Sequence, residues 1–565
     1  LNAGAQWLLD ICGFWVVNDG DVSFQSPLNI SSANNSALLE ADWMSDPKDK
    51  VETYDTTLRD GAQGEGITFS LDDKLKLAKA LSDLGVDYIE VGYASSTPED
   101  IEVFKRLRTA SLGDTKVVAF GSTKKKNVSA ESDPGIKAIL ETGAKIATLF
   151  GKSWTLHVEK VLGTTLDKNL EMISDSISYL RKKGLTVIFD AEHFFDGYAE
   201  NPGYAFRVLE CAREAGASTL VLCDTNGGSF PDQVGKVTAE VVQRFDCVVG
   251  IHAHNDSECA VANTISAVQA GARHVQGTIN GYGERVGNAN LISIIAGLYK
   301  LGYRTIEEEK MRNLTALSRY VARIVNERPN PRLPYVGERA FAHKAGTHID
   351  AVLKTTRAYE HIPPELVGNV RRTLASKHSG KAAILNKAKE FKFEITEEQA
   401  ESLTKMIKEL ERQGFEFENA DASLYLRMAE HLGLYSPPFS VHNYVATDNA
   451  NKYQSVGMEV QIGDEIVLTT AESRKGLVDA LRKALDRALS SRFPDVTRII
   501  LEDFRVMDLD TEKSTEARVG VWVKSRCDSV TFWTIGVSSN MLRASLDAIE
   551  DSKKYGLLVL SGKIR

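Results

Sequence analysis

The 565-residue chain has few cysteines and prolines and contains no long apolar run. Its six cysteines (Cys12, Cys211, Cys223, Cys247, Cys259 and Cys527) are scattered and form no CxxC pair. That excludes a disulfide framework and points to reduced, cytosolic thiols. Only 14 prolines beside 42 glycines, with 43% hydrophobic and 26% charged residues, exclude a disordered or collagen-like chain. No stretch approaches the roughly 20 apolar residues of a membrane span. A positive balance is missing too: 77 acidic against 68 basic residues give a formal charge of −9, which argues against a nucleic-acid partner. Residues 1–43 contain Asp10, Asp19, Asp21, Glu40 and Asp42 but neither Lys nor Arg, and they hold Trp7, Trp15 and Trp43. A transit peptide is basic, and a signal peptide needs a positive start and an unbroken apolar run, whereas Trp7–Val17 is interrupted by Asp10. The expectation is a soluble, cytoplasmic protein whose partners are small molecules, with no nucleic acid and no membrane.

What is present is length enough for two to four domains, at roughly 100–200 residues each. Eight short β-branched runs occur in the first 300 residues: Val51–Leu58, Val86–Tyr93, Thr115–Ser122, Lys145–Gly151, Leu185–Ala191, Ser218–Asp224, Cys247–His254 and His274–Asn280. Helix-period segments lie between them, such as Leu71–Leu84, Leu166–Lys183, Tyr204–Ala215 and Cys259–Ala270. Gly85, Gly143, Gly184, Gly216 and Gly271 follow such segments, as left-handed C-terminal caps do. Strict β/α alternation implies a parallel sheet, and eight units at roughly 30-residue spacing predict a closed (β/α)8 TIM barrel.

In such a barrel the chemistry sits where strands end and βα loops begin. There this sequence places Arg59-Asp60, Phe150-Gly-Lys-Ser-Trp154, Asp190-Ala-Glu-His193, Asp224-Thr-Asn-Gly-Gly228, His252-Ala-His-Asn-Asp256 and Asn280–Asn288. His252 and His254, two apart on a strand, point to one face. With Asp60 and a carbonyl oxygen from Asn288 they form a candidate metal site. Mixed N/O ligands suit Zn, Mn, Co or Mg without choosing among them. Arg59 forms either a structural ion pair with Asp60 or a cation that stabilises negative charge developing on a metal-bound oxygen. Glu192 and Asp190 either order the rim or move a proton. Thr225 is a turn residue or a hydroxyl for a substrate carboxylate. The four glycines of Gly277–Gly287 follow a last barrel strand, not a first Rossmann strand, and predict a tight loop completing the metal site rather than a nucleotide site.

Asp55-Thr-Thr-Leu-Arg-Asp-Gly-Ala-Gln63, His252-Ala-His-Asn-Asp256 and Gly277-Thr-Ile-Asn-Gly-Tyr-Gly-Glu-Arg-Val-Gly-Asn-Ala-Asn290 resemble the signatures of the 2-isopropylmalate, homocitrate and citramalate synthase family. Phe150–Trp154, Phe189-Asp-Ala-Glu-His-Phe-Phe-Asp-Gly-Tyr198 and Tyr359–Asn369 resemble its citramalate branch, and the likeness covers 45–565. The resemblance implies an acyltransferase: a metal-dependent Claisen condensation of acetyl-CoA with pyruvate, then thioester hydrolysis, on a threonine-independent route to isoleucine. It implies Asp60, His252 and His254 as metal ligands with Asn288 close by, Arg59 on the keto group, Thr225 on the carboxylate, and Glu192 on the acetyl-CoA side. Family members take a base from the connecting subdomain, reaching the neighbouring subunit's barrel. Phe341-Ala-His-Lys-Ala-Gly-Thr-His-Ile-Asp350 resembles that segment, which nominates His348 as base, Asp350 as its orienting partner and Tyr359 as a further catalytic group.

From Phe439 the pattern becomes βββα, twice: strands at Phe439–Thr447, Val456–Ile462 and Glu465–Thr470 with a helix at Ser473–Leu489, then Val496–Asp508, Ala517–Lys524 and Ser529–Gly536 with a helix at Ser538–Tyr555. A duplicated α+β unit without clustered catalytic residues reads as an assembly or sensing module. The resemblance implies a regulatory domain with isoleucine as effector, in a homodimer. The expected organisation is a non-family extension at 1–43, the barrel at 44–330, helical connecting subdomains at 331–438 and the regulatory domain at 439–565. The functional protein is expected to start near Met44. The competing readings are a 2-isopropylmalate synthase accepting 2-oxoisovalerate, a catalytically silent regulator, and a lyase or carboxyltransferase. Retention of Arg59, Asp60, His252, His254 and His348 together speaks against the silent regulator, and the βββα repeat against the lyase.

Overall fold

The structure, a computed structural model, describes residues 14–18, 21–25, 48–94, 98–373, 381–417, 420–449, 452–509 and 517–564. The chain divides into two compact units, residues 1–341 with 361–370, and residues 342–360 with 371–565. The expected connecting stretch 331–438 is shared between them. Of the expected 1–43 extension, residues 14–18 and 21–25 pair as an antiparallel hairpin, and the rest lies outside the described residues, as does Met44.

The first unit is a closed barrel of eight parallel strands in chain order. They are β1 (Glu52–Asp55), β2 (Tyr88–Tyr93), β3 (Lys116–Ser122), β4 (Ile146–Lys152), β5 (Thr186–Glu192), β6 (Thr219–Asp224), β7 (Val248–Ala253) and β8 (His274–Gly277). β8 pairs with both β7 and β1, which closes the ring. The helices follow from local chemistry. Leu71–Leu84 starts at Ser70, whose hydroxyl accepts from Asp73 N while the Asp73 carboxylate accepts from Ser70 N, and it stops at Gly85, held at φ +91°.

Inward side chains recur every second residue along a strand, so they stack in layers. Tyr54, Tyr88, Val118, Ile188 and Val221 fill the interior as an apolar layer. Two residues further along their strands, Glu90 and Asp190 join Thr148, His252 and Gln276 as a buried polar layer. Polar groups cluster in this barrel at the end where the strands finish, beneath the rim.

Three expected strands end early, each for a local reason. β1 stops at Asp55, whose carboxylate accepts from Thr57 N and Thr57 Oγ1 and turns the chain. β7 stops at Ala253, and His254 instead bridges Asn288. β8 stops at Gly277 ahead of a short turn in which Asn280 takes φ +63°. All three terminations bring rim residues together.

In the second unit the βββα pattern is present twice. β9 (Phe439–Asn449), β10 (Tyr453–Ile462) and β11 (Glu465–Ser473) precede the helix Leu477–Ser490. β12 (Ile499–Asp508), β13 (Val519–Cys527) and β14 (Val530–Ser538) precede the helix Met541–Leu560. Each triplet is its own antiparallel sheet. The first strand of each bulges at the corresponding place, between Val441 and Asn443 and between Leu501 and Asp503. At each bulge the side-chain oxygen accepts from the next backbone N–H, Asn443 from Tyr444 and Asp503 from Phe504, both at 2.9 Å. Bulges place one extra residue in a strand and turn it, so their recurrence with the same side-chain device marks a true internal repeat.

Candidate metal centre and active site

Asp60, His252 and His254 are all buried and bring their ligating atoms within 4.8 Å of one another, among the described residues the one such group of three His, Cys, Asp or Glu. His252 Nε2 lies 3.3 Å from Asp60 Oδ2 and 3.3 Å from His254 Nε2, and His254 Nε2 is 4.0 Å from Asp60 Oδ2. Burial works against the Asp60 carboxylate, yet Arg59 and His252 hold it well below the ordinary range, so it is ionised. Burial and then His252 push His254 down to about 3, which leaves a neutral imidazole ready to ligate. Burial alone lowers His252, but Asp60 overrides it and raises this ring.

The residues fit a divalent ion on their own chemistry. Asn288 Oδ1 is buried with no hydrogen-bond partner, while its amide nitrogen donates to Tyr282 O at 3.2 Å. An orphaned carbonyl oxygen on the residue that bridges His254 is costly unless it faces a cation. Gly283 makes room for that amide: a Cβ there would sit 2.1 Å from Asn288 Nδ2.

Arg59 borders the triad, with a guanidinium nitrogen 3.5 Å from Asp60 Oδ1. Its Nε donates to Glu90 Oε1, and Tyr54 OH donates to Glu90 Oε2. Burial opposes the charge on Arg59, and Asp60 with Glu90 restores and exceeds it, raising its pKa. On the far side of the guanidinium the rings of Phe120 and Phe150 stack with centroids 5.3 Å apart, and Tyr93 meets both edge-on. Sequence reasoning missed Glu90 and Gln276. The available signal was a charged or amide residue inside an otherwise apolar strand, at Tyr88–Tyr93 and His274–Gly277.

The remaining expected residues of the first unit lie at the same rim or in the polar layer beneath it. Glu192 ends β5 and is paired with Lys152 from β4. Asp190, two residues earlier, accepts from Gln276 Nε2 at 3.1 Å, and burial raises it to about 7. Thr225 Oγ1 accepts from His193 N at 2.9 Å, which leaves its own hydrogen free to donate. Arg285 clamps Asp256 through two nitrogens, at 2.7 and 2.8 Å, and donates to Thr225 O.

In the second unit His348 stands on the helix Gly346–Lys354, and its ring stacks on Tyr359 with centroids 3.9 Å apart. Asp350 accepts from Lys354 at 2.7 Å. The group in contact with the imidazole is thus the phenol ring, with Asp350 engaged one turn along the helix.

Family models match the chain in three consecutive stretches: HMGL-like over 50–321, homocitrate synthase post-HMGL domain-like over 335–414, and the LeuA allosteric (dimerisation) domain over 418–557. The chain is 45% identical over 519 residues to an (R)-citramalate synthase of Aquifex aeolicus, covering 90% of this chain and 98% of that protein. It is 43% identical over 537 residues to one of Synechocystis, covering 92% and 98%. A probable 2-isopropylmalate synthase of Methanopyrus kandleri is more distant, at 35% over 366 residues, covering 65% and 71%.

Proposed function

The chain belongs to the (R)-citramalate synthase family, and from that premise we propose how its own residues carry out the condensation of acetyl-CoA with pyruvate. It is an acyltransferase of the type that converts the acyl group into an alkyl group on transfer. The observation that carries the residue assignments is the buried Asp60–His252–His254 triad with Arg59 against it.

Asp60, His252, His254 and Asn288 Oδ1 would hold a divalent ion, which would supply Lewis-acid polarisation of the 2-oxo acid's keto group. Arg59, fixed by Glu90, presents positive charge to the keto oxygen as negative charge grows there. Thr225 donates its hydroxyl to the pyruvate carboxylate. The acetyl methyl group must lose a proton to attack, and His348 is the base, with Tyr359 against its ring and Asp350 on the same helix. Glu192 contacts the acetyl-CoA side or assists that transfer. A C–C bond forms between the methyl carbon and the keto carbon, the C=O π bond breaks, and the keto oxygen takes up a proton to become the hydroxyl of the product. Water then attacks the thioester, the C–S bond breaks, and CoA leaves as the thiol while the new carboxyl group completes citramalate.

Zn, Mn, Co and Mg all suit these ligands. The match of 418–557 to an allosteric (dimerisation) domain supports an allosterically regulated homodimer, and isoleucine is the effector that the family resemblance implies. The described cysteines, all free thiols, support the cytoplasm as its place, and no described helix is long and apolar enough to cross a membrane.

Release of free thiol from acetyl-CoA tests the reading. It is expected to depend on pyruvate and on a divalent metal, and to be slower with 2-oxoisovalerate or 2-oxoglutarate. Faster turnover with 2-oxoisovalerate reassigns the acceptor, and no release with any 2-oxo acid overturns the activity.

A further inference from the structure

We infer that Gln276 is a positioning residue for the metal centre: it fixes the tautomer and ring orientation of His252, and Asp190 fixes Gln276. Gln276 is fully buried inside the barrel on β8, in register with Tyr54. Its Oε1 lies 2.9 Å from His252 Nδ1, and its Nε2 donates to Asp190 Oδ1 at 3.1 Å. The amide is planar, so its two ends cannot be chosen independently. Ionised, the Asp190 carboxylate accepts and does not donate, and in that form it draws the NH2 end towards β5, where Nε2 donates to Oδ1. That leaves the carbonyl end facing His252. A carbonyl oxygen only accepts, so the hydrogen of the neutral imidazole sits on Nδ1 and the lone pair is left on Nε2. Nε2 is the atom 3.3 Å from both Asp60 Oδ2 and His254 Nε2.

Turned over, the same amide would aim its NH2 at Nδ1 and move the hydrogen to Nε2, a form that cannot ligate. Asp190 is thus a device against that flip. Ligating histidines are commonly held through the second nitrogen by a carboxylate or a backbone carbonyl. Here an amide does it, and a buried carboxylate from three strands away sets the amide's direction.

The inference rests on the metal-centre reading, and cobalt(II) binding to the full-length protein tests the two separately. Affinity is measured by competition with a chromogenic chelator, and geometry by the visible ligand-field spectrum. Gln276→Leu, which keeps the bulk and removes the acceptor, is expected to weaken cobalt(II) by roughly 10–100-fold and to shift the spectrum. Gln276→Glu, which restores an acceptor, is expected to return affinity to within a few-fold of wild type. Wild-type affinity and spectrum in Gln276→Leu would overturn the inference. Should that variant not fold by circular dichroism, Gln276→Met is read by the same criteria. Asp190→Leu frees the amide to turn over and is expected to lose affinity by a smaller factor; no loss would remove Asp190 from the device. If wild type binds cobalt(II) no more tightly than Asp60→Asn, the metal-centre reading itself has failed.

Discussion

The guanidinium carbon of Arg59 lies 3.8 Å from the centroid of the Phe120 ring. One edge of the same group is bonded to Glu90, so both its plane and its rotation are set before any substrate arrives. A lysine ammonium keeps the charge but has neither the plane to stack nor the fork to be held. Arg59→Lys is expected to lower kcat for thiol release by about 10²–10³-fold, as the loss of one preorganised charge-stabilising donor does. Glu90→Gln keeps a bond to Nε and is expected to fall less. A kcat for Arg59→Lys within threefold of wild type would remove Arg59 from the charge-stabilising role.

The barrel is legible in the sequence because eight apolar runs alternate with eight helix-forming stretches, a pattern few folds share. Its polar layer is much less so. Both faces of a parallel barrel strand are buried, so nothing in Tyr88–Tyr93 says which side Glu90 faces until closure of the sheet decides it. Gln276 is hidden for the same reason. His252 and His254 are visible because they lie at a strand end, where the rim location follows from chain order alone. The pairing of His348 with Asp350 comes from the family resemblance and not from a local pattern; residues two apart on a helix point in different directions, and Asp350 accepts from Lys354. Tyr359, which comes after the helix, folds back onto the ring.

Gly283 tests whether Asn288 belongs to the centre. A methyl group at Gly283 would collide with Asn288 Nδ2, and the amide would have to leave its present position. Gly283→Ala is expected to weaken divalent-metal binding about tenfold, in the range seen when a group supporting a metal site is disturbed, while the secondary structure by circular dichroism is kept. Unchanged metal affinity in a folded variant would place Asn288 outside the ligand set.

Metal binding to the folded protein alone must also raise stability. With free ion at 100 times its dissociation constant the gain is about 2.7 kcal/mol. Thermal melting of chelator-treated protein is therefore expected at lower temperature than after addition of divalent ion. Asp60→Asn, which removes the carboxylate closest to His252 Nε2, is expected to abolish the shift. An equal rise in wild type and Asp60→Asn would mean that the ion acts elsewhere.

In the second repeat a charge is buried in the helix Met541–Leu560. Lys553 is 2% exposed, and its ammonium donates to Val496 O at 3.3 Å and Ile499 O at 2.9 Å and pairs with Asp486 at 2.6 Å. Burial lowers its pKa, and Asp486 opposes that shift. The ammonium thereby ties its helix to the start of β12 and to the helix Leu477–Ser490 of the first repeat, joining the two repeats through one side chain. Breaking a buried pair from one side costs about 3–5 kcal/mol, because the partner is left desolvated. Asp486 keeps Arg482 at 2.7 Å, so Lys553→Met is expected near the lower end of that range. Adding Asp486→Asn removes the stranded carboxylate, and the double variant is expected to be more stable than Lys553→Met alone. Urea unfolding of wild type, Lys553→Met, Asp486→Asn and the double variant measures this, and strictly additive losses would show that the pair does not couple the repeats.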